Sequence, residues 1–298
     1  MKQLAGIFAP VVSTFSQTTG DVDAAAFASN IQAHLAAGLD GIVVTGSTGE
    51  AALLDFEERG IFVDAARSVV PDDKMLIVGT GAESTRMCLR LTRDAAKRGA
   101  DAVLVVAPHY YSSAMTIDAL RAHYRRIADE SSVPVLLYNI PKYMHFALPA
   151  ELVAELAQHE NVIGIKDSSG NADLFSGFLP AQSDTFSVLT GNGPFWQKAL
   201  AAGARGGILA MSLFAPALSR DVYEAMQRGD VSTAVALHER LTPPGGRIVG
   251  DFGVPGVKAA MDAVGLYGGP VRSPLMPLAS AQQSEVRELL RTAELATF

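Results

Sequence analysis

The feature that most restricts this chain is an alternation. Eight short apolar runs recur along it: Gly6–Val12, Gly41–Thr45, Met75–Gly79, Ala102–Val106, Val135–Tyr138, Val162–Lys166, Phe186–Thr190 and Gly207–Met211. Several are unbroken Val/Ile/Leu segments, the pattern of strands buried on both faces. Between and after them lie helical patterns: Ala24–Ala37, Phe56–Val70, Ser84–Arg98, Thr116–Glu130, Pro149–Gln158, Ala172–Phe178, Pro194–Ala202 and Ala215–Gln227. Ser84 has the chemistry of an N-cap, and Gly99 and Pro71 act as stops. A strand–helix unit repeated eight times predicts an α/β fold with parallel strands inside and helices outside. The count of eight favours a closed (β/α)₈ TIM barrel over an open doubly wound sheet.

After Arg228 the alternation stops. Helical patterns at Val231–Leu241, Val254–Val264 and Ala281–Ala296 are separated by Pro243-Pro244-Gly245-Gly246 and Gly268-Gly269-Pro270, which read as loops. The expected organisation is a barrel over residues 1–228 and a three-helix C-terminal extension over 229–298, packed on the barrel. The 298 residues suit a barrel of about 250 plus such an addition. A hydrophobic share of 49 % against 18 % charged residues supports a large buried core.

Charge and cysteine usage exclude several classes of partner. The net charge is −7, and no basic run is dense enough for nucleic acid. Arg121, Arg125 and Arg126 share their helix with Asp118, Asp129 and Glu130, which reads as a solvated face. An anionic substrate must therefore be drawn in by local dipoles rather than by the global field. Cys88 is the only cysteine, so no internal disulfide forms, in keeping with a reducing compartment. Residues Met1 to Phe15 lack the layout of a signal or transit peptide, and no apolar run is long enough to span a membrane. The expectation is a cytoplasmic protein without a membrane partner.

In a barrel of this kind, chemistry sits at the C-terminal ends of the strands. The second run ends in Thr45-Gly46-Ser47-Thr48-Gly49-Glu50. Its backbone N–H groups and hydroxyls suit a carboxylate, and an ordinary capped turn accounts for them equally well. Glu50 reads as structural, bonded to backbone within the turn. The fourth run is followed by Pro108-His109-Tyr110-Tyr111, either a proton relay or an aromatic patch between subunits. The fifth ends in Tyr138-Asn139, whose phenol faces either the barrel mouth or water.

The sixth run carries the most. Val162-Ile163-Gly164-Ile165-Lys166-Asp167-Ser168 ends a buried strand in a lysine. Burial favours a neutral amine, and a neutral amine attacks carbonyls. Gly164, on the same strand face, removes bulk beneath it. The competing reading is a rim lysine, or one paired with Asp167. The seventh run ends in Thr190-Gly191-Asn192-Gly193, a phosphate cradle or a plain turn. The six histidines, His34, His109, His123, His145, His159 and His238, form no metal-ligand spacing, and neither a Walker loop nor a dinucleotide glycine pattern occurs. No cofactor or metal is expected.

Gly46-Ser47-Thr48-Gly49-Glu50, Tyr110, Tyr138 and Lys166, in order and at strand ends, resemble the signature of the dihydrodipicolinate synthase / N-acetylneuraminate lyase family. The likeness covers essentially the whole chain. Gly99-Ala100-Asp101, Pro108 to Tyr111, Lys166-Asp167-Ser168, Phe252 to Gly256 and Tyr267 to Pro270 resemble its 4-hydroxy-2-oxoglutarate aldolase branch most. The resemblance implies a class I, Schiff-base lyase with catalytic Lys166, Tyr138, Ser47 and Tyr110. Lys166 would form the imine, Tyr138 would carry protons, and Ser47 would link Tyr138 to Tyr110. Either Tyr110 or Tyr111 would come from a neighbouring subunit of a homotetramer, a dimer of dimers. Gly46, Thr48, Ser168, Gly191, Asn192, Ile208 and Tyr143 would contact substrate, pyruvate or 4-hydroxy-2-oxoglutarate.

Two departures narrow the substrate. Dihydrodipicolinate synthases usually carry an arginine where this chain has Tyr143, and sialic acid lyases carry acidic residues where it has Asn192-Gly193-Pro194. The expected reaction is therefore cleavage of 4-hydroxy-2-oxoglutarate to pyruvate and glyoxylate. The alternatives within the family are dihydrodipicolinate synthase and a 2-oxo-3-deoxy sugar acid aldolase or dehydratase. Lys142-Tyr143-Met144-His145 is expected to form the distal end of the pocket, with Lys142 and His145 each either offering a cation to a second carboxylate or facing solvent. Outside the family, a phosphate-binding barrel or a non-catalytic binding protein compete with this reading.

Overall fold

The structure, a computed structural model, describes residues 4–295. Its strands are β1 (Gly6–Pro10), β2 (Gly41–Val44), β3 (Met75–Gly79), β4 (Ala102–Val106), β5 (Val135–Asn139), β6 (Val162–Asp167), β7 (Ser187–Thr190) and β8 (Gly206–Ile208). They close into a barrel in sequence order. Every neighbouring pair is parallel, including β8 with β1. The fold is a TIM barrel, as the alternation requires.

The helices begin where polar side chains satisfy their free N–H groups. Asp23, Ser84, Thr116 and Asn171 each accept a backbone N–H of the first turn they precede. Asp55 and Glu58 form a reciprocal capping box at the start of Phe56–Val69. The barrel helices Ala24–Ala36, Thr85–Lys97, Ile117–Glu130 and Pro216–Gln227 lie within a residue of their expected bounds at most ends.

Four local differences have physical causes. β1 stops at Pro10, which has no N–H for the ladder, and Val11 N bonds Ala9 O and Val43 O instead. β8 is short because Ala210–Leu213 winds into a 3₁₀ turn, in which Ser212 Oγ bonds back to Leu209 O at 2.7 Å. A four-residue helix, Pro141–Met144, opens on a proline and ends at His145 in the left-handed region. The Pro243-Pro244-Gly245-Gly246 segment is not a loop. The helix Val231–Pro244 runs straight into a π-helix, Gly245–Asp251. Two prolines without N–H groups cannot sustain the normal ladder, and the wider turn absorbs the mismatch.

The extension continues with helices Gly253–Ala263 and Ser280–Thr292; the expected end at Ala296 lies outside the described residues. Leu241, Ile248, Val257, Ala260, Met261, Val286 and Leu290 join the same continuous apolar core as the strands. No helix among the described residues is long and apolar enough to cross a membrane.

One irregularity in the sheet places the site. Val135 pairs with Val162, but Leu136 pairs with Gly164, so β6 carries one extra residue there. A regular ladder continued from Val135 would set Tyr138 opposite Ile165. The bulge sets it opposite Lys166 instead. Paired residues of a sheet share a face, so this shift puts the phenol and the amine on the same side.

Candidate active site

Lys166 is 5 % exposed, and its Nζ lies 4.3 Å from the centroid of the Tyr138 ring. It has no hydrogen bond or ion pair among the described residues. The pairing with Asp167 is excluded by what Asp167 already holds. Asn139 Nδ2 donates to Oδ1 at 2.7 Å, Ser169 N to Oδ1 at 3.2 Å, and Ser169 Oγ to Oδ2 at 2.7 Å. Burial pushes the Asp167 carboxyl above its usual range, and these donors work against that push. Asn139 Oδ1 in turn accepts Leu148 N at 2.9 Å, which ties the strand end to the segment after the Pro141–Met144 helix.

Room for the lysine comes from a glycine other than the expected one. A Cβ on Gly164 would meet Ser187 O at 2.5 Å and Leu4 Cδ2 at 2.8 Å. Gly164 therefore lets β7 and the N-terminal segment close in. A Cβ on Gly191 would meet Lys166 Cε at 2.6 Å and Ser168 Oγ at 2.0 Å. Gly191 and Ser168 thus flank the lysine stem.

A cavity of about 900 Å³ opens beside Tyr138. Tyr138, itself 4 % exposed, forms part of its wall; Lys166 does not, and meets it through the ring. Thr45, Gly46 and Ser47 form another part. Their loop is held in strained backbone: Thr45 has φ 51° and Glu50 φ 53°. A β-branched residue there costs about 1–3 kcal/mol, which surrounding contacts must offset. Thr45 Oγ1 donates to Gly79 O at 2.9 Å, and Ser13 Oγ donates to Gly49 O at 2.6 Å. Arg59 donates to the carbonyls of Gly79 and Ala51. Glu50 is structural, but its partners lie outside the turn: Arg272 N donates to Oε2 at 2.7 Å, and Lys258 Nζ lies 2.5 Å from Oε1.

The distal wall contains Lys142 and Tyr143 of the short helix and its cap His145, together with Phe252 to Pro255 of the extension; Met144, also expected there, is buried outside the wall. Lys142 Nζ donates to Gly250 O of the π-helix at 2.9 Å. Burial raises the Tyr143 phenol above its ordinary range, and the neighbouring Tyr138 adds to the effect. His109 and Glu83 also line the cavity, 3.3 Å apart.

The remaining expected site residues are placed differently. Tyr110 and Tyr111 are 77 % and 70 % exposed and outside the cavity wall, so the chain by itself does not assemble the expected relay. Their loop is nevertheless fixed, since Glu83 accepts both His109 N and Tyr110 N. The two rings pack edge to face at 5.0 Å. Thr48, Asn192 and Ile208 are not in the wall. Asn192 Oδ1 accepts Phe195 N and caps the following turn, and Ile208 is fully buried in β8. Among the described residues no three His, Cys, Asp or Glu side chains cluster to hold a metal ion.

Sequence reasoning missed Arg59, Glu83, Lys258 and the Asn139–Asp167–Ser169 network. Arg59 and Glu83 carry no signal that separates them from solvated surface residues. Lys258 does: it interrupts the apolar stretch Val257, Ala260, Met261 and Val264, where a buried charge requires a partner.

Known proteins resemble this chain over nearly its whole length. A family model described as the dihydrodipicolinate synthetase family matches residues 3–293. The 4-hydroxy-tetrahydrodipicolinate synthase of Methanoculleus marisnigri is 35 % identical over 287 residues, covering 96 % of this chain and 98 % of the relative. That of Archaeoglobus fulgidus is 33 % identical over 291 residues, covering 97 % and 98 %. Among solved structures, a dihydrodipicolinate synthase from Bacillus anthracis superposes with a TM-score of 0.93 at 29 % identity, over 98 % and 99 % of the two chains. YagE, a prophage protein of the dihydrodipicolinic acid synthase family from E. coli K12 solved in complex with pyruvate, gives 0.92 at 29 % identity, over 98 % and 99 %.

Proposed function

The chain belongs to the dihydrodipicolinate synthetase family and is a lyase of its pyruvate-dependent, class I type; on that premise we propose that Lys166 forms the imine. The observation that carries this is the unpaired, buried amine set against the Tyr138 ring at the C-terminal end of β6. In the reaction, Nζ adds to C2 of a 2-oxo acid, and water leaves as the imine forms. Loss of a proton from C3 gives an enamine, which adds to an aldehyde; the reverse path breaks the same C–C bond. The imine nitrogen takes up the electron pair in that cleavage. Tyr138 carries the protons, and Gly46 and Ser47, which line the cavity, hold the carboxylate. Tyr110 or Tyr111, presented outward on a fixed loop, completes the relay in a second copy of the chain within a homotetramer.

The names of the relatives favour the synthase, the alternative in the sequence reading, over the 4-hydroxy-2-oxoglutarate aldolase placed first there. Condensation of pyruvate with an aldehyde to a dihydrodipicolinate precursor is therefore the leading reading. One observation supports the aldolase as a second: Tyr143 stands in the distal wall, at the position where the sequence resemblance leads one to expect an arginine in a synthase. Steady-state assays with each substrate separate the two.

The imine is tested by borohydride reduction in the presence of pyruvate, followed by peptide mapping. The expected adduct lies on Lys166, is absent from Lys258 and disappears in Lys166→Ala. A folded protein that gives no adduct at saturating pyruvate overturns the reading.

A further inference from the structure

The buried lysine that the chemistry does not use is Lys258, in the helix Gly253–Ala263 of the extension. Its side chain is 2 % exposed, and that of its partner Glu50 is fully buried. Nζ also donates to Pro270 O at 2.7 Å and lies 4.7 Å from the centroid of the Phe15 ring. A buried ion pair of this kind is weak evidence for stability, because removing both charges is often neutral. Its better-attested use is to fix a register or a geometry.

The geometry fixed here is that of the hydroxyl loop. Glu50 is the residue after Gly46-Ser47-Thr48-Gly49, and it holds a left-handed backbone with φ 53°. Its two carboxylate oxygens are taken by two parts of the extension, Lys258 Nζ and Arg272 N. Arg272 is itself anchored to Glu58 at 2.6 Å and to Gly20 O at 3.0 Å. The loop's other anchors, Ser13 to Gly49 O and Arg59 to Ala51 O, come from the barrel portion. Among the described residues, the ion pair to the loop comes from the extension. The same helix places Gly253, Val254 and Pro255 in the cavity wall.

We infer that Lys258 is a positioning residue: through Glu50 it sets the Thr45–Glu50 loop, so that the C-terminal extension governs how the barrel holds the carboxylate of a 2-oxo acid. The inference rests on the proposed imine chemistry for its ligand but not for its geometry.

The test compares the parent with Lys258→Met and with Glu50→Gln/Lys258→Met. Pyruvate KM should rise roughly tenfold or more in Lys258→Met, while kcat stays within about threefold, the signature of lost ground-state binding. In the double variant no charge is left unpaired, so Tm should return toward the parent value while KM stays raised. Amide hydrogen exchange, read without pyruvate, should speed up over residues 45–51 in both variants and stay unchanged in β5 and β6. A KM that recovers together with Tm, or unchanged exchange over the loop in a folded variant, overturns the inference. A parent without a pyruvate adduct overturns the imine instead, and the exchange result still decides this one. Should Lys258→Met not fold, the double variant carries the test.

Discussion

Gly191→Ala isolates the placement of the lysine from its chemistry. The added Cβ would stand 2.6 Å from Lys166 Cε and 2.0 Å from Ser168 Oγ. Ser168 has a single-atom hydroxyl that can rotate aside. The lysine stem has less freedom, since its Nζ is already against the Tyr138 ring at 4.3 Å. A relaxed contact between carbons is about 3.5 Å, so Cε has to retreat by roughly 0.9 Å. A misplacement of about 1 Å costs about a hundredfold in rate. The overpacking itself costs about 1–3 kcal/mol, and at roughly 2 °C per kcal/mol for a chain of this size Tm falls by about 2–6 °C. The assay is the rate of borohydride-trapped adduct formation with pyruvate, alongside kcat/KM and a thermal melt. Gly246→Ala serves as the control, because a Cβ there meets nothing within 4 Å. A Gly191→Ala protein that melts in the expected range yet traps pyruvate at the parental rate would refute the argument that this glycine shapes the site.

Tyr138→Phe keeps the ring against Lys166 and removes a hydroxyl that has no hydrogen bond among the described residues. Turnover should fall about 10²–10⁴-fold with Tm nearly unchanged, and a variant at half the parental kcat would remove the proton-carrier role. His123 tests pH dependence: burial lowers its pKa from 6.5 to about 4, and a Coulombic contribution from Glu83 opposes the shift. At pH 5 the unfolded chain binds a proton there that the folded chain refuses, so stability is full above pH 6.5 and is lost as pH falls toward 4. The loss by pH 5 is about 2 kcal/mol. His123→Gln, which keeps a partner for Thr85, should melt with a flatter dependence between pH 7.5 and 5; an identical slope would show that other groups account for the acid sensitivity.

The residues that the sequence marked around Lys166 came together unevenly. Tyr138 and Lys166 do meet, but only because β6 carries a bulge between Val162 and Gly164, and nothing in Val162-Ile163-Gly164-Ile165 announces one. Gly164 and Gly191 look alike as letters, yet the neighbours of a missing Cβ decide which of them makes room for the lysine. Tyr110 stayed on the surface because its loop is held outward by Glu83, a contact across 27 residues of chain. The Pro-Pro-Gly-Gly segment reads as a break by local rules, and became helix because packing of Leu241 and Ile248 on the barrel outweighs those rules.

The sequence alone determined the barrel and the strand ends that bear polar chemistry, because the alternation of buried runs and amphipathic helices is a local pattern that only a few architectures can bury. It also determined that a lysine ends the sixth strand. Tertiary structure alone decided that this lysine is unpaired, that Asp167 is bound by Asn139 and Ser169, and that Glu50 is held by Lys258 and Arg272, more than 200 residues away along the chain. Those are choices among partners, and a partner is set by distance in space, which periodicity along a chain does not encode.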